Sequence, residues 1–405
     1  MLHITRNMLS LIIVILLSAC GQQKKDYKMG TYGYDADFLK KNNIEYLELK
    51  SKDGSARVLV VPKYQGRVMT TSANGNEGAS FGWINYKLIE SGEINPQFNP
   101  VGGEERFWIG PEGGPFSIYF KQGQKQVYEN WKVPACIDTE EFELKEKEDN
   151  SLKFIKETTL TNASGTTFNI IIERTVALLS AKQISSAFNI EISDSVSFVG
   201  YQTDNKITNK GNNAWTKESG LLSIWMLGMF NPTPTTTVFI PYNTQAKDAV
   251  VNDDYFGKVP ADRLKTENGF IYFKIDGAYR SKIGVSPERA TGICGSYDSQ
   301  KKVLTVLWCS IPPDPQVYVN SKWGEQENPY EGDLINSYND GPTEDGSIMG
   351  PFYEIETSSA AAALIPGQSV QHIQRVVHFS GNEDELAVIV KKIFNVELNT
   401  ITSRF

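Results

Sequence analysis

The sequence predicts an all-β protein, a large antiparallel β-sandwich with few short helices. Three observations carry this prediction. Short runs alternate apolar and polar residues at 45–49, 57–61, 168–174, 269–275 and 303–308, the period of half-buried strands. Clusters of Gly, Asn, Asp and Pro separate those runs, as turns between antiparallel strands require. Helical periodicity is confined to residues 35–42 and 382–395, too little for an α/β architecture. No repeat of fixed period is present, which argues against a propeller or β-helix. No Pro- or Ser-rich linker interrupts residues 31–405, so one oversized sandwich is favoured over two independent domains.

The first nineteen residues read differently. Arg6 precedes an apolar run from Leu9 to Leu17, which stops at Ser18 and Ala19 before Cys20. The run is short of the roughly 20 apolar residues that a membrane span needs, and the chain turns polar at Gly21. Residues 1–19 are therefore expected to be a signal peptide. Leu17-Ser18-Ala19-Cys20 resembles the bacterial lipobox, which implies a lipidated Cys20 carrying palmitate-type acyl chains. Residues 20–30 then act as a tether without apolar periodicity. Gly21 follows the cysteine where an Asp would resemble an inner-membrane retention signal, so the expected location is the cell envelope, at the outer membrane. Contact with the membrane is expected through the lipid anchor only.

Composition narrows the partners. The net charge is −8, from 40 Lys and Arg against 48 Asp and Glu. No extended basic cluster occurs, which argues against nucleic acid. Cys136, Cys294 and Cys309 remain in the mature chain, an odd number without metal-type spacing. A Cys294–Cys309 bridge is conceivable in an oxidising compartment, but three buried thiols are the preferred expectation.

Chemistry concentrates in three segments. The first is Gly102-Gly103-Glu104-Glu105-Arg106-Phe107-Trp108-Ile109-Gly110-Pro111-Glu112. Glycines permit sharp turns and close approach to a ligand, Arg106 offers a planar donor fork, and Trp108 a flat apolar face. These suit a sugar ring; they suit equally a structural corner, with Arg106 tied to a carboxylate and Trp108 in the core. The second segment, 328–342, holds Tyr330, Asp333, Asn336, Tyr338 and Asp340 among turn signals. The third, residues 352–357, places Phe352, Glu354 and Glu356 on one face of a strand. Alternate residues stand about 6–7 Å apart, close enough for two acids to flank a ligand or perturb each other; a solvated outer face is the plainer alternative.

Histidine chemistry has few candidates. His372 and His378 share a strand face but lie roughly 20 Å apart along it, too far to share a metal ion, and both are expected to be hydrogen-bonded structural residues. No nucleophile elbow, phosphate loop or His-Glu-x-x-His occurs, and the spacing of Asp333 and Asp340 matches no calcium loop. No metal and no cofactor is expected.

The Gly102–Glu112 run, the Ile207-Thr208-Asn209 stretch leading to Lys210-Gly211, and the C-terminal Glu356, Leu364-Ile365-Pro366-Gly367 and following strand together resemble the galactose-mutarotase-like superfamily, and within it a Bacteroides-type lipoprotein branch. The resemblance covers the mature chain. It implies a very large antiparallel sandwich that binds or acts on carbohydrate, with Glu356 at the position of the catalytic glutamate. In true mutarotases that glutamate is the base on the anomeric hydroxyl, and a central-strand histidine protonates the ring oxygen. Residues 204–209, where the histidine is expected, contain none. The leading expectation is therefore a carbohydrate-binding protein using Arg106, Trp108, Glu112, Asp333 and Glu356. An aldose 1-epimerase-like enzyme pairing Glu356 with Glu354, Asp333 or Glu112 stands second, and an envelope scaffold third.

Overall fold

The computed structural model describes residues 26–343 and 345–405. The residues read as a signal peptide, the Cys20 expected to be lipidated and most of the expected tether lie outside them. Among the described residues, strands form three antiparallel sheets, the architecture the alternating runs predict. No helix among them is long and apolar enough to cross a membrane.

Ten strands make the largest sheet. Its longest strands are Ser369–Ser380, Ser197–Asn209, Thr167–Leu178 and Ser151–Thr161, paired in that order. Alternation is what shapes it. Along Thr167–Leu178 the residues Phe168, Ile170, Ile172, Val176 and Leu178 are buried while their neighbours are not, so one face is apolar and must be covered. A five-stranded sheet covers it, ordered Ser281–Val285, Ile335–Asn339, Tyr353–Ser358, Ser223–Phe230 and Arg106–Gly110. Phe107, Ile109, Ile224, Met226, Ile283, Ile335 and Ile355 of that sheet join Phe154, Phe168, Ile170 and Ile172 in one core.

Helices cover the far face of the large sheet. Asn382 accepts a hydrogen bond from the Glu385 amide and starts the helix Glu383–Phe394, whose acidic first turn suits its N-terminal dipole. Leu386, Ile389, Val390 and Phe394 pack against Phe239, Leu304, Val306 and Phe379, and the helical signal read at 382–395 is this element. The signal at 35–42 corresponds to Tyr32–Lys41. Tyr86–Ser91, Ala181–Phe188 and Leu398–Thr402 escape the sequence reading because they are too short to display a helical period. A capping box of Ser180 and Gln183 was the signal for the second of them.

Cys136, Cys294 and Cys309 are free and buried. Cys294 lies opposite Leu307, not Cys309, in the antiparallel register. Burial pushes the Cys136 and Cys309 thiols up to about 12, so they stay protonated and unreactive.

Candidate functional site

The core-facing side of the five-stranded sheet is apolar; its other face holds the charges. Residues directly opposite one another across antiparallel strands point the same way. Arg106 faces Leu227, Leu227 faces Glu356, and Glu356 faces Asn336. One turn along, Met229 faces Glu354, Glu354 faces Tyr338, and Tyr338 faces Lys282. Trp108 faces Trp225. Arg106 and Glu356, 250 positions apart in sequence, thus share a sheet face with one strand between them, about 10 Å at the backbone. The two carboxylates of Tyr353–Ser358 share that face as the alternation predicts, but both are buried, so the solvated-face alternative is excluded.

The contacts are specific. Arg106 Nη2 pairs with Glu354 Oε1 at 3.2 Å, and its guanidinium lies 4.1 Å over the Trp108 ring and 5.4 Å from that of Phe98. Glu356 Oε2 accepts hydrogen bonds from Trp225 Nε1 and Lys282 Nζ, both at 2.9 Å. Lys282 also lies 5.1 Å over the Trp225 ring and 5.5 Å from that of Tyr255. Arg106 therefore already covers one face of Trp108, and Trp108 itself packs edge-on against Trp225. Both halves of the first segment's reading meet here: Arg106 is tied to a carboxylate and Trp108 is in the core, yet they form one wall of a charged site.

Asp333 stands to one side. It accepts from the Tyr255 hydroxyl and from Asn252 Nδ2, and Asn336 Nδ2 donates to the same Tyr255 hydroxyl at 3.1 Å. Asp333 thus fixes Tyr255, whose ring lies 5.5 Å from Lys282 Nζ. Glu112 follows the Arg106 strand and lies within the electrostatic reach of Lys282, Glu356 and Arg106.

Burial and charge compete at every one of these groups. Burial raises Glu354 to about 8; Arg106 pulls it down while Glu356 pushes it further up. Glu112 is raised to about 6 by burial, against the pull of Lys282 and a hydrogen bond from Trp323. Burial alone would lower Lys282, but Glu356, Glu354 and Glu112 outweigh it and raise it. Asp333 is raised by burial in spite of its hydrogen bonds from Tyr255 and Asn252. A protonated carboxyl beside a carboxylate held by two donors is an arrangement that can both accept and supply a proton. Three atoms here are buried without a hydrogen-bond partner: Arg106 Nε, Arg106 Nη1 and Glu356 Oε1. Buried polar atoms are seldom left so, and an ordered water, an ion or a ligand group is what completes them.

Two glycines of the first segment make the sharp turn expected of them. A Cβ on Gly102 would meet the Trp83 carbonyl oxygen at 2.3 Å, and one on Gly103 the Arg67 side chain at 2.5 Å. Both have positive φ, 91° and 113°, and let the chain pack closely against itself.

Across residues 30–405 the chain matches a sequence family described as "Family of unknown function (DUF6786)". The chain belongs to this family. No curated protein matches its sequence. Among solved structures, the Slr1438 protein of Synechocystis sp. PCC 6803 is similar over 84% of this chain and 96% of its own, with TM-score 0.51 and 12% identity. That likeness shows the fold. A putative aldose 1-epimerase of Escherichia coli K12 aligns over 83% of this chain and 99% of its own, with TM-score 0.47 and 12% identity. A galactose mutarotase-like protein of Lactobacillus casei aligns over 82% and 100%, with TM-score 0.47 and 10% identity.

This member of the family differs in plan from the expected acid–base pair. Residues 204–209, where a histidine was sought, run through the large sheet; Asn205 there is held by Arg174 and caps the His372 carbonyl. The donors to Glu356 come instead from Trp225 and Lys282, on two other strands. Neither was singled out from sequence. Lys282 sits in an ordinary alternating run, Ser281-Lys282-Ile283-Gly284-Val285, and only the register with Ile335–Asn339 brings it to the site. His372 shares a hydrogen bond with Thr357 at 2.7 Å, and His378 with Thr305 and Glu104 at 2.9 and 2.8 Å. Both are the hydrogen-bonded buried residues expected.

Proposed function

We propose that this protein is a cell-envelope lipoprotein, anchored through Cys20, that binds carbohydrate at the Arg106–Glu354–Glu356–Lys282 site. The observation that carries the reading is the set of unpartnered buried atoms, Glu356 Oε1 and Arg106 Nε and Nη1, on a face walled by Trp108 and Trp225. Carboxylate acceptors and a guanidinium together match the hydroxyls of a sugar. The net charge of −8 fits a neutral ligand and not nucleic acid. The test is calorimetric titration with a panel of common hexoses and pentoses. Binding to wild type with a loss of about tenfold or more in Glu356→Gln, at unchanged thermal unfolding, supports the site. Loss of fold in the variant, or no binding across the panel, would sink it.

One observation favours a second reading, an aldose 1-epimerase-like activity. Glu354 is raised to about 8 and so carries a proton at neutral pH, next to Glu356. In such a step Glu356 takes the proton of the anomeric hydroxyl as Glu354 gives one to the ring oxygen, the ring C–O bond opens, and reclosure on the other face returns both protons. Polarimetric anomer exchange lost in both Glu356→Gln and Glu354→Gln would favour it; no acceleration would leave binding as the function.

A further inference from the structure

A groove of about 780 Å³ runs along the surface beside this site. Tyr119, Phe120 and Trp131 line it, as do Thr158–Thr161 at the end of a large-sheet strand and the following Asn162. That volume falls in the upper part of the range for sites that enclose a ligand, roughly 300–1,000 Å³. Three features indicate what it takes. Its polar lining is rich in amides: Asn95, Gln97, Gln122, Gln124, Asn130 and Asn162. Its charges cancel, Lys121 and Lys132 against Glu129 and Glu140, so no net field selects a charged ligand. The Trp131 Nε1 donor is buried and has no hydrogen-bond partner.

A run of packed rings leads from the charged site to the groove. Phe98, which stands beside Arg106, packs edge-on against both Trp108 and Trp131 at 5.5 Å. Trp131 stacks on Tyr119 at 6.1 Å and on Trp323 at 5.9 Å. Trp323 reaches both places, since it packs on Phe120 of the groove at 5.2 Å and lies close to Glu112 of the site. It is also partly exposed, as is Tyr128, which stacks on Trp131. Aromatic faces flanked by amides and free of net charge fit the pyranose units of a neutral chain.

We infer that the ligand is a neutral oligosaccharide, one terminal unit of which occupies the Arg106–Glu356 site while further units lie along the Trp131 groove. The inference rests on the sugar-binding reading above and adds the ligand's length and charge to it. The experiment titrates wild type with ladders of one to six units cut from cellulose, xylan, mannan and galactan. Two groove variants accompany it, Trp131→Phe, which keeps the ring and removes the N–H, and Gln122→Ala on an exposed side chain. Affinity should rise about tenfold or more between one unit and four for one ladder. Both groove variants should flatten that rise and leave the single unit's affinity unchanged, whereas Glu356→Gln should weaken every length. Affinity independent of length, with Glu356→Gln still sensitive, would overturn the groove and spare the site. No sugar bound at any length would overturn both. Capture of an unfolded peptide such as oxidised insulin B chain, lost in Trp131→Phe while the sugar ladders are unaffected, would assign the groove to peptide and also overturn the inference.

Discussion

Glu354 is drawn two ways, by a buried environment that disfavours its charge and by Arg106 at 3.2 Å that favours it. Burial prevails, and the group is raised to about 8, with Glu112 and Asp35 raised to about 6 by the same cause. An acid whose folded value lies above its unfolded one binds its proton more tightly in the folded state. Stability is then greatest below the unfolded value and falls as pH rises through the folded one. For Glu354 the window runs from about 4.5 to about 8. Thermal unfolding at about pH 6 should therefore occur at a higher temperature than at about pH 8.5. Glu354→Gln, which keeps a carbonyl for Arg106 but no charge, should narrow that gap and raise Tm at the higher pH by roughly 2 °C or more. An unchanged or lowered Tm there would mean that the Arg106 pair outweighs the burial of its carboxylate.

Elements decide which of these residues meet. The strand that carries Arg106 is entered through Gly102 and Gly103, whose positive φ and crowding by Trp83 and Arg67 leave no room for a side chain. Gly102→Ala should lose roughly 2 kcal/mol or more, because the added Cβ meets backbone that cannot swing aside. Urea unfolding measures it, and a loss below about 0.5 kcal/mol would show that the turn relaxes. The same elements explain what the sequence revealed. Period-two alternation made the shared face of Glu354 and Glu356 readable, since a strand's facing is a local property. The Gly-Arg-Trp run was readable as chemistry for a similar reason. Lys282 and Trp225 were not, because their place beside Glu356 depends on pairings with strands tens of positions away or more, and register of that kind leaves no mark within the run itself.

At the scale of the whole molecule, the charged site depends on a second buried network on the opposite side of its sheet. Glu105, directly before Arg106, pairs with Arg174 of the large sheet at 2.8 Å, both fully buried. Gln374 and Thr203 donate to the other Glu105 oxygen at 2.6 and 3.2 Å, while Arg174 donates to Asn205 Oδ1 at 2.6 Å and to the Gly66 carbonyl at 3.0 Å. One ion pair thus joins four points on three large-sheet strands, the Gly66 turn before the strand Arg67–Ser72 of the three-stranded sheet, and the start of the Arg106 strand. Two charges taken out of water are costly, and a lone one costlier still. Arg174→Met should therefore lower unfolding stability by about 3–5 kcal/mol, since Glu105 is left charged and unpaired. Adding Glu105→Leu to it should recover at least about half of that loss, since no isolated charge then remains. Both are read from urea midpoints at constant m-value. If the double variant is as unstable as the single one, the seam depends on the hydrogen bonds around the pair more than on its charges. If it recovers stability but weakens sugar binding, the network's contribution is to hold Arg106 in register with Glu356.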